Sequence, residues 1–357
     1  MTDLTQGFTY QGAPSRVLFG VGMLARVAAE IEGMGCKRAF LLSTPFQAAD
    51  IATLAKEIGP LVAGTFTDAQ MHTPVDVTKQ ALAVFEACGA DCIVSMGGGS
   101  TIGLGKAIAW RNDAPHLVIA TTYAGSEVTD ILGQTEGGVK STVRDLKIRP
   151  EVVIYDAALT TGLPIGMSVS SGLNAMAHAI EGLYAPDANP VTSLMAVEGI
   201  RALKAALPLI VRTPDDIEAR SSALYGSWLC GVVLGSVAMS LHHKLCHTLG
   251  GACDLPHAET HAILLPHTAA YNASAAAREL SPASALFGGD LSGGLYDLSS
   301  DLNAPRALRD LGLDRGALDH VADLAVRNPY SNPRDVTRDG IMGLLLRAYD
   351  GTRPEQT

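Results

Sequence analysis

The chain has 357 residues, 47% hydrophobic and 17% charged, enough apolar material for two domains with substantial cores. Its net charge of −10, with no basic stripe to neutralise phosphates, excludes nucleic acid as a partner. An anionic small molecule stays open, because a local cluster of Arg, Lys and His can override the global sign.

The opening MTDLTQGFTYQGAP has no basic segment leading into an apolar run, which predicts no signal peptide. Six scattered cysteines (Cys36, Cys88, Cys92, Cys230, Cys246 and Cys253) read as reduced thiols, so the expected location is the cytoplasm. In the first half, short β-branched runs alternate with helical patterns. A helix ends at Gly33 to Gly35, and KRAFLLST (37–44) reads as a buried strand. Helical periodicity over Val75 to Cys88 is followed by DCIVSMGGGS (91–100), a strand running into glycines, and by a helix over Gly103 to Trp110. HLVIATTYAGSE (116–127) and EVVIYD (151–156) are further strands. Repeated strand–helix–strand units imply a parallel, Rossmann-like sheet covered on both faces, over residues 1–162.

From Leu163-Pro164 onward β-runs disappear. Residues 163–357 read as an all-helical domain, with helices at Met167–Leu183, Pro190–Leu209, Asp215–Ser240 and Pro305–Leu313, and with Ser281–Leu298 as a loop or weak helix. Ser222 to Leu241 is uncharged and long enough to cross a bilayer. Gly226, Gly231 and Gly235 suit close helix contact instead, so a buried helix and no membrane partner are expected. A cleft between the two domains is where cofactor and substrate are expected.

Gly97, Gly98, Gly99 and Ser100 follow a strand and open a helix. Backbone N–H groups at such a helix start suit a pyrophosphate. Thr121, Thr122 and Ser126 in ATTYAGSEVT are expected to line the same cofactor. At the end of the 37–44 strand, where an acidic residue would bind a ribose diol, Ser43 and Thr44 stand instead. Nothing there repels a 2′-phosphate, which predicts weak discrimination between NADH and NADPH.

Asn174 and His178 are spaced i, i+4, as are His243 and His247, and His257 follows a turn. His178, His243 and His257 are the metal ligands if any metal binds. The fourth position would be the neutral Asn174, which weakens the hold on hard divalent ions. Without metal, the same cluster with His242 and Lys244 is a cationic pocket for an anionic substrate and a developing oxyanion.

GGGS…K in the first domain and NxxxH…HxxxH…H in the second resemble the iron-containing alcohol dehydrogenase superfamily, from about Val17 to Tyr349. The stretches GGGSTIGLGKAIA, TTYAGSEVT, SSGLNAMAHAIEGLYA, HHKLCHTLGGACDLPHAETHAILLPH and RNPYSNPRDVTRDGI are similar to those of its maleylacetate reductase subgroup. The resemblance implies a dehydroquinate synthase-like architecture. The superfamily's Asp, His, His and His ligands fall on Asn174, His178, His243 and His257, and its usual Asp in GGGSxxDxxK falls on Gly103. Both departures agree with the subgroup, which is regarded as able to act without metal.

It further implies NAD(P)H-dependent reduction of the C=C bond of 2-maleylacetate to 3-oxoadipate in bacterial aromatic degradation, by a homodimer. His178, His243, Lys244, His247 and His257 are the candidate catalytic residues, the proton donor among the histidines being left open. Asn174, His242, Arg327, Tyr330 and Arg334 are the candidate substrate residues. The two arginines either grip the substrate's carboxylates bidentately or form surface ion pairs. The alternative function is a metal-dependent alcohol dehydrogenase acting on a small carbonyl.

Overall fold

The structure, a computed structural model, describes residues 8–12, 15–327 and 330–355. The chain divides into two compact units between Leu163 and Pro164, and residues 8–12 group with the second.

The first unit carries a parallel sheet. Its elements in chain order are β1 (Arg16–Phe19), α1 (Val27–Gly33), β2 (Ala39–Leu42), α2 (Ala48–Ile58), β3 (Val62–Phe66), α3 (Val75–Cys88), β4 (Cys92–Gly97), α4 (Gly99–Asn112), β5 (His116–Ala120), β6 (Ile131–Glu136), β7 (Val139–Arg144) and β8 (Val152–Tyr155). Six strands pair in the order β1-β8-β5-β4-β2-β3, all parallel, while β6 and β7 form a separate antiparallel hairpin. The four strands read from sequence are the four inner ones, and every residue of each is buried. A strand covered on both faces has to be apolar throughout, so it shows in the sequence as an unbroken run. The sequence reading missed both edge strands and the hairpin. β5 also stops at Ala120, short of the expected 127, because the chain then turns at Gly125 in a left-handed conformation.

The second unit is helical: α5 (Ile165–Leu183), α6 (Pro190–Arg212), α7 (Ile217–Ser236), α8 (Leu241–Cys253), α9 (His257–Asn272), α10 (Ala277–Ala285), α11 (Leu291–Asp301), α12 (Ala317–Ala325) and α13 (Arg338–Asp350). Every residue of α5 from Ser168 to Leu183 is buried. α6 and α7 cross closely. A Cβ on Gly199 would sit 2.7 Å from the Cys230 sulfur, and one on Gly226 would sit 2.8 Å from Leu203 Cγ, so glycines let the backbones meet.

Three helix expectations are corrected. The helix expected over 215–240 is α7, shorter at both ends, and α8 leaves it at 93° beyond residue 240. Residues 281–298 are largely helical, split by Gly288-Gly289 and restarted by Asp290, whose carboxylate accepts from the Gly293 N–H. Residues 305–313 form only a short 3₁₀ turn at Leu308–Leu311, closed by Gly312 with positive φ. Among the described residues no single helix is long and apolar enough to cross a membrane. α7 and α8 pass that test only as a bent pair, by length and composition.

Candidate active site

In the first unit, β4 delivers Gly97 and Gly98 to the start of α4. Added side chains there would collide with Thr101 and Thr122, the Cβ of Gly98 lying 2.6 Å from Thr122 Cγ2. Gly99 differs, being exposed at the first turn of α4 with nothing within 4 Å of a built Cβ. The protein's own packing therefore does not require glycine there. Ser100 is half-buried beside it. Thr121 is buried, donates its N–H to Gly97 O and accepts from Gln47 Nε2 at 3.2 Å, so it ties the second loop to the first. Thr122 and Ser126 are half-buried. Ser43 is fully buried with its hydroxyl donated to the Thr44 carbonyl, so Thr44 is the more accessible of that pair.

The sequence reading did not single out Lys106. It is buried, and its Nζ faces Ser126 O at 2.6 Å, Thr129 O at 2.8 Å, Thr129 Oγ1 at 2.9 Å and Ile131 O at 3.1 Å. Burial pulls its pKa down to about 7, against the opposing pull of Glu127 and Asp130. Lys106 thereby pins the loop after β5 onto α4, which accounts for the lysine that closes the GGGS…K pattern. A Cβ on Gly103 would fall 2.4 Å from the Thr73 hydroxyl, so this chain leaves no space for the usual aspartate.

In the second unit the histidines gather as expected, around two residues that the sequence reading passed over. α5 presents Asn174, His178 and Glu181, α8 presents His242, His243 and His247, and α9 presents His257 and His261. Glu181 is completely buried. Its carboxylate accepts from the His242 N–H at 2.6 Å, the His243 N–H at 3.3 Å and the His243 Nδ1 at 2.5 Å. One acid therefore both caps the start of α8 and orients the His243 ring. Burial alone would raise its pKa. The His243 ring, followed by His242 and the Ser240 backbone, outweighs burial and holds the carboxyl below its ordinary value.

His243 Nε2 lies 2.8 Å from His178 Nδ1, completing a buried chain Glu181–His243–His178. His261 sits at the middle of the ring cluster, with centroid distances of 4.4 Å to His257, 4.8 Å to His242, 5.2 Å to His243 and 6.0 Å to His178. Burial drives the pKa of His242 down to about 3 and that of His261 well below the ordinary value, so both are neutral. Exposure falls from His247, which is exposed, through half-buried His257 to the buried His243, His178 and His261. The cluster therefore meets solvent on the His247 side. Asn174 is buried, and its side-chain oxygen has no hydrogen-bond partner.

Lys244 is half-buried, with its Nζ 5.9 Å from the Tyr330 ring centre. Among the described residues the buried Tyr330 hydroxyl has no hydrogen-bond partner, and burial first, then Glu181, raises its pKa. Arg334 stacks on Tyr271 at 4.4 Å and donates to its carbonyl, and Arg327 is exposed in the neighbourhood of Asp323. Asn328 and Pro329 lie outside the described residues.

The profile of the iron-containing alcohol dehydrogenase family matches residues 14–157, and that of the family's C-terminal region matches residues 168–349. The chain belongs to the iron-containing alcohol dehydrogenase family. It is 60% identical to the maleylacetate reductase of Rhizobium sp. (strain MTP-10005), over 98% of this chain and 100% of that one. It is 53% identical to the maleylacetate reductase of Burkholderia cepacia, over 97% of this chain and 99% of that one. The crystal structure of maleylacetate reductase from Agrobacterium tumefaciens superposes with a TM-score of 0.95 at 59% identity, covering 98% of this chain and all of the other.

The family takes its name from iron, and in this chain the position of the acidic ligand holds the neutral amide of Asn174. His178 Nδ1 and His243 Nε2 lie 2.8 Å apart, and His261 packs against both His257 and His243. Among the described residues, the sets of ligand atoms lying within 4.8 Å of one another are His242–Cys246–His261 and Cys36–Asp91–Cys92. The expected trio of His178, His243 and His257 is not among them.

Proposed function

We propose that the chain reduces the C=C bond of 2-maleylacetate to 3-oxoadipate with NADH or NADPH, without a resident metal. The observation that supports this reading is the buried, neutral Asn174 at the position where the resemblance puts the acidic metal ligand, beside the buried Glu181–His243–His178 chain. The glycine turn before α4 and the loop pinned by Lys106 would hold the pyrophosphate, and no carboxylate at residues 43–44 would repel a 2′-phosphate. Bound NAD(P)H supplies a hydride to the alkene carbon β to the ketone, which leaves negative charge on the ketone oxygen.

His243, whose Nδ1–H is held by Glu181, and Lys244 supply the positive charge that stabilises this oxygen. A histidine of the cluster then delivers a proton to the α-carbon, and solvent reaches that cluster through the exposed His247. Tyr330, with its partnerless buried hydroxyl, and Asn174, with its partnerless oxygen, offer polar contacts to the dicarboxylate. We further take the working state to be a homodimer in the bacterial cytoplasm, serving aromatic degradation.

The test is NAD(P)H oxidation with freshly generated maleylacetate on metal-stripped protein. One NAD(P)H consumed per substrate without added metal is the expected result. Activity abolished by chelation and restored by Zn²⁺ or Fe²⁺ would overturn the metal-free mechanism in favour of the metal-dependent alcohol dehydrogenase reading.

A further inference from the structure

We propose that His242, Cys246 and His261 form a binding site for a thiophilic divalent cation, Zn²⁺ in the first instance, separate from the positions where the family places iron. His242 and Cys246 stand one turn apart on α8, His261 faces them from α9, and all three are buried.

The geometry lies close to what zinc requires. With bonds of about 2.0–2.1 Å to nitrogen and about 2.3 Å to sulfur, tetrahedral ligands sit roughly 3.4 Å apart for an N–N pair and roughly 3.6 Å for an N–S pair. Cys246 Sγ already lies 3.6 Å from His242 Nε2. His242 Nε2 and His261 Nδ1 lie 2.9 Å apart and need to part by only about half an ångström.

The surrounding hydrogen bonds prepare the ligands. The Thr268 hydroxyl faces the carbonyls of Leu264 and Leu265 at 3.1 and 3.2 Å, so its proton is used there and its oxygen accepts from His242 Nδ1 at 2.9 Å. A proton fixed on Nδ1 leaves the His242 Nε2 lone pair facing Cys246 and His261, the tautomer a metal needs. His261 then donates from Nδ1 to His242, while its own Nε2 is buried without a partner. Moving that proton to Nε2 frees Nδ1 as a ligand with no change of charge. The ion displaces only the Cys246 thiol proton, which leaves to solvent, and the fourth position goes to water. Sulfur and imidazole donors without a carboxylate select Zn²⁺ or Co²⁺ over hard ions.

Co²⁺ titration of the metal-stripped full chain tests the site without recourse to turnover, so its outcome is independent of the proposed reaction. The expected result is a thiolate-to-cobalt charge-transfer band that saturates at one equivalent, survives in Cys92→Ala, and is lost in Cys246→Ala. Anomalous diffraction at the zinc edge from Zn²⁺-soaked crystals, which needs no variant, is expected to place the ion on His242, Cys246 and His261. No band in the unaltered chain, a band that survives Cys246→Ala, or an ion on His178, His243 and His257 would overturn the proposal.

Discussion

Replacing Glu181 with Gln removes one charge and leaves almost the same shape. The carboxylate accepts from His243 Nδ1 at 2.5 Å and from two backbone N–H groups, at 2.6 Å and 3.3 Å, with the side chain wholly buried. Hydrogen bonds to charged groups contribute about 1.5–3 kcal/mol each, and breaking a buried charged pair costs about 3–5 kcal/mol. Glutamine keeps one acceptor oxygen for the start of α8, so the expected loss is about 3 kcal/mol in denaturant unfolding. The amide cannot hold the His243 Nδ1–H and both backbone donors with one oxygen, and it brings no negative charge to the ring. Removing one preorganised charge-stabilising contact slows turnover by about 10²–10³-fold, so kcat is expected to fall about 10²-fold with KM for NAD(P)H unchanged. Steady-state kinetics at saturating cofactor reads this directly. A variant that kept full kcat and unaltered unfolding would refute the role given to the Glu181–His243 pair.

The same carboxylate sets an acid limit. Its folded pKa lies below the unfolded value, so between the two the unfolded chain binds more protons, and stability falls as pH drops below the ordinary glutamate range. Unfolding followed against pH should show this slope reduced in Glu181→Gln. In the glycine turn, Gly98→Ala meets Thr122 at 2.6 Å and should cost about 1–3 kcal/mol. Gly99→Ala meets nothing within 4 Å and should leave unfolding unchanged while raising KM for NAD(P)H. Lys106→Met strands the carbonyls of Ser126, Thr129 and Ile131 and should cost about 3 kcal/mol in thermal or denaturant unfolding, with a raised cofactor KM. Gly103→Asp drives a side chain into Thr73, and lowered stability measured the same way is the expected result.

What could be read from sequence follows burial. The inner strands announce themselves because both of their faces are covered, and the spacing of Asn174 with His178 and of His243 with His247 puts each pair on one helical face. β1 and β3 are short, partly exposed edges without such a run. The β6–β7 hairpin did leave a signal in Gly137-Gly138, both at positive φ, a pair typical of a two-residue turn. His261 repeats the i, i+4 spacing from His257 and was equally legible. Glu181 was visible as the lone Asp, Glu, Lys or Arg in α5. Its partners, however, lie about sixty residues away and only meet it once α8 packs against α5. Arg334 likewise makes a contact that the sequence does not announce, stacking on Tyr271 from 63 residues away.

The cap that Glu181 places on α8 joins two properties usually altered independently. The carboxylate that caps the start of the helix through one oxygen also orients the His243 ring through the other. Any change that lets the first turn of α8 fray would shift the acid–base behaviour of the ring before it unfolded the unit. Variants selected for heat resistance through residues 237–240 would therefore be expected to arrive with altered pH–rate profiles, a coupling that an engineer of this scaffold would meet first as an unexplained trade-off.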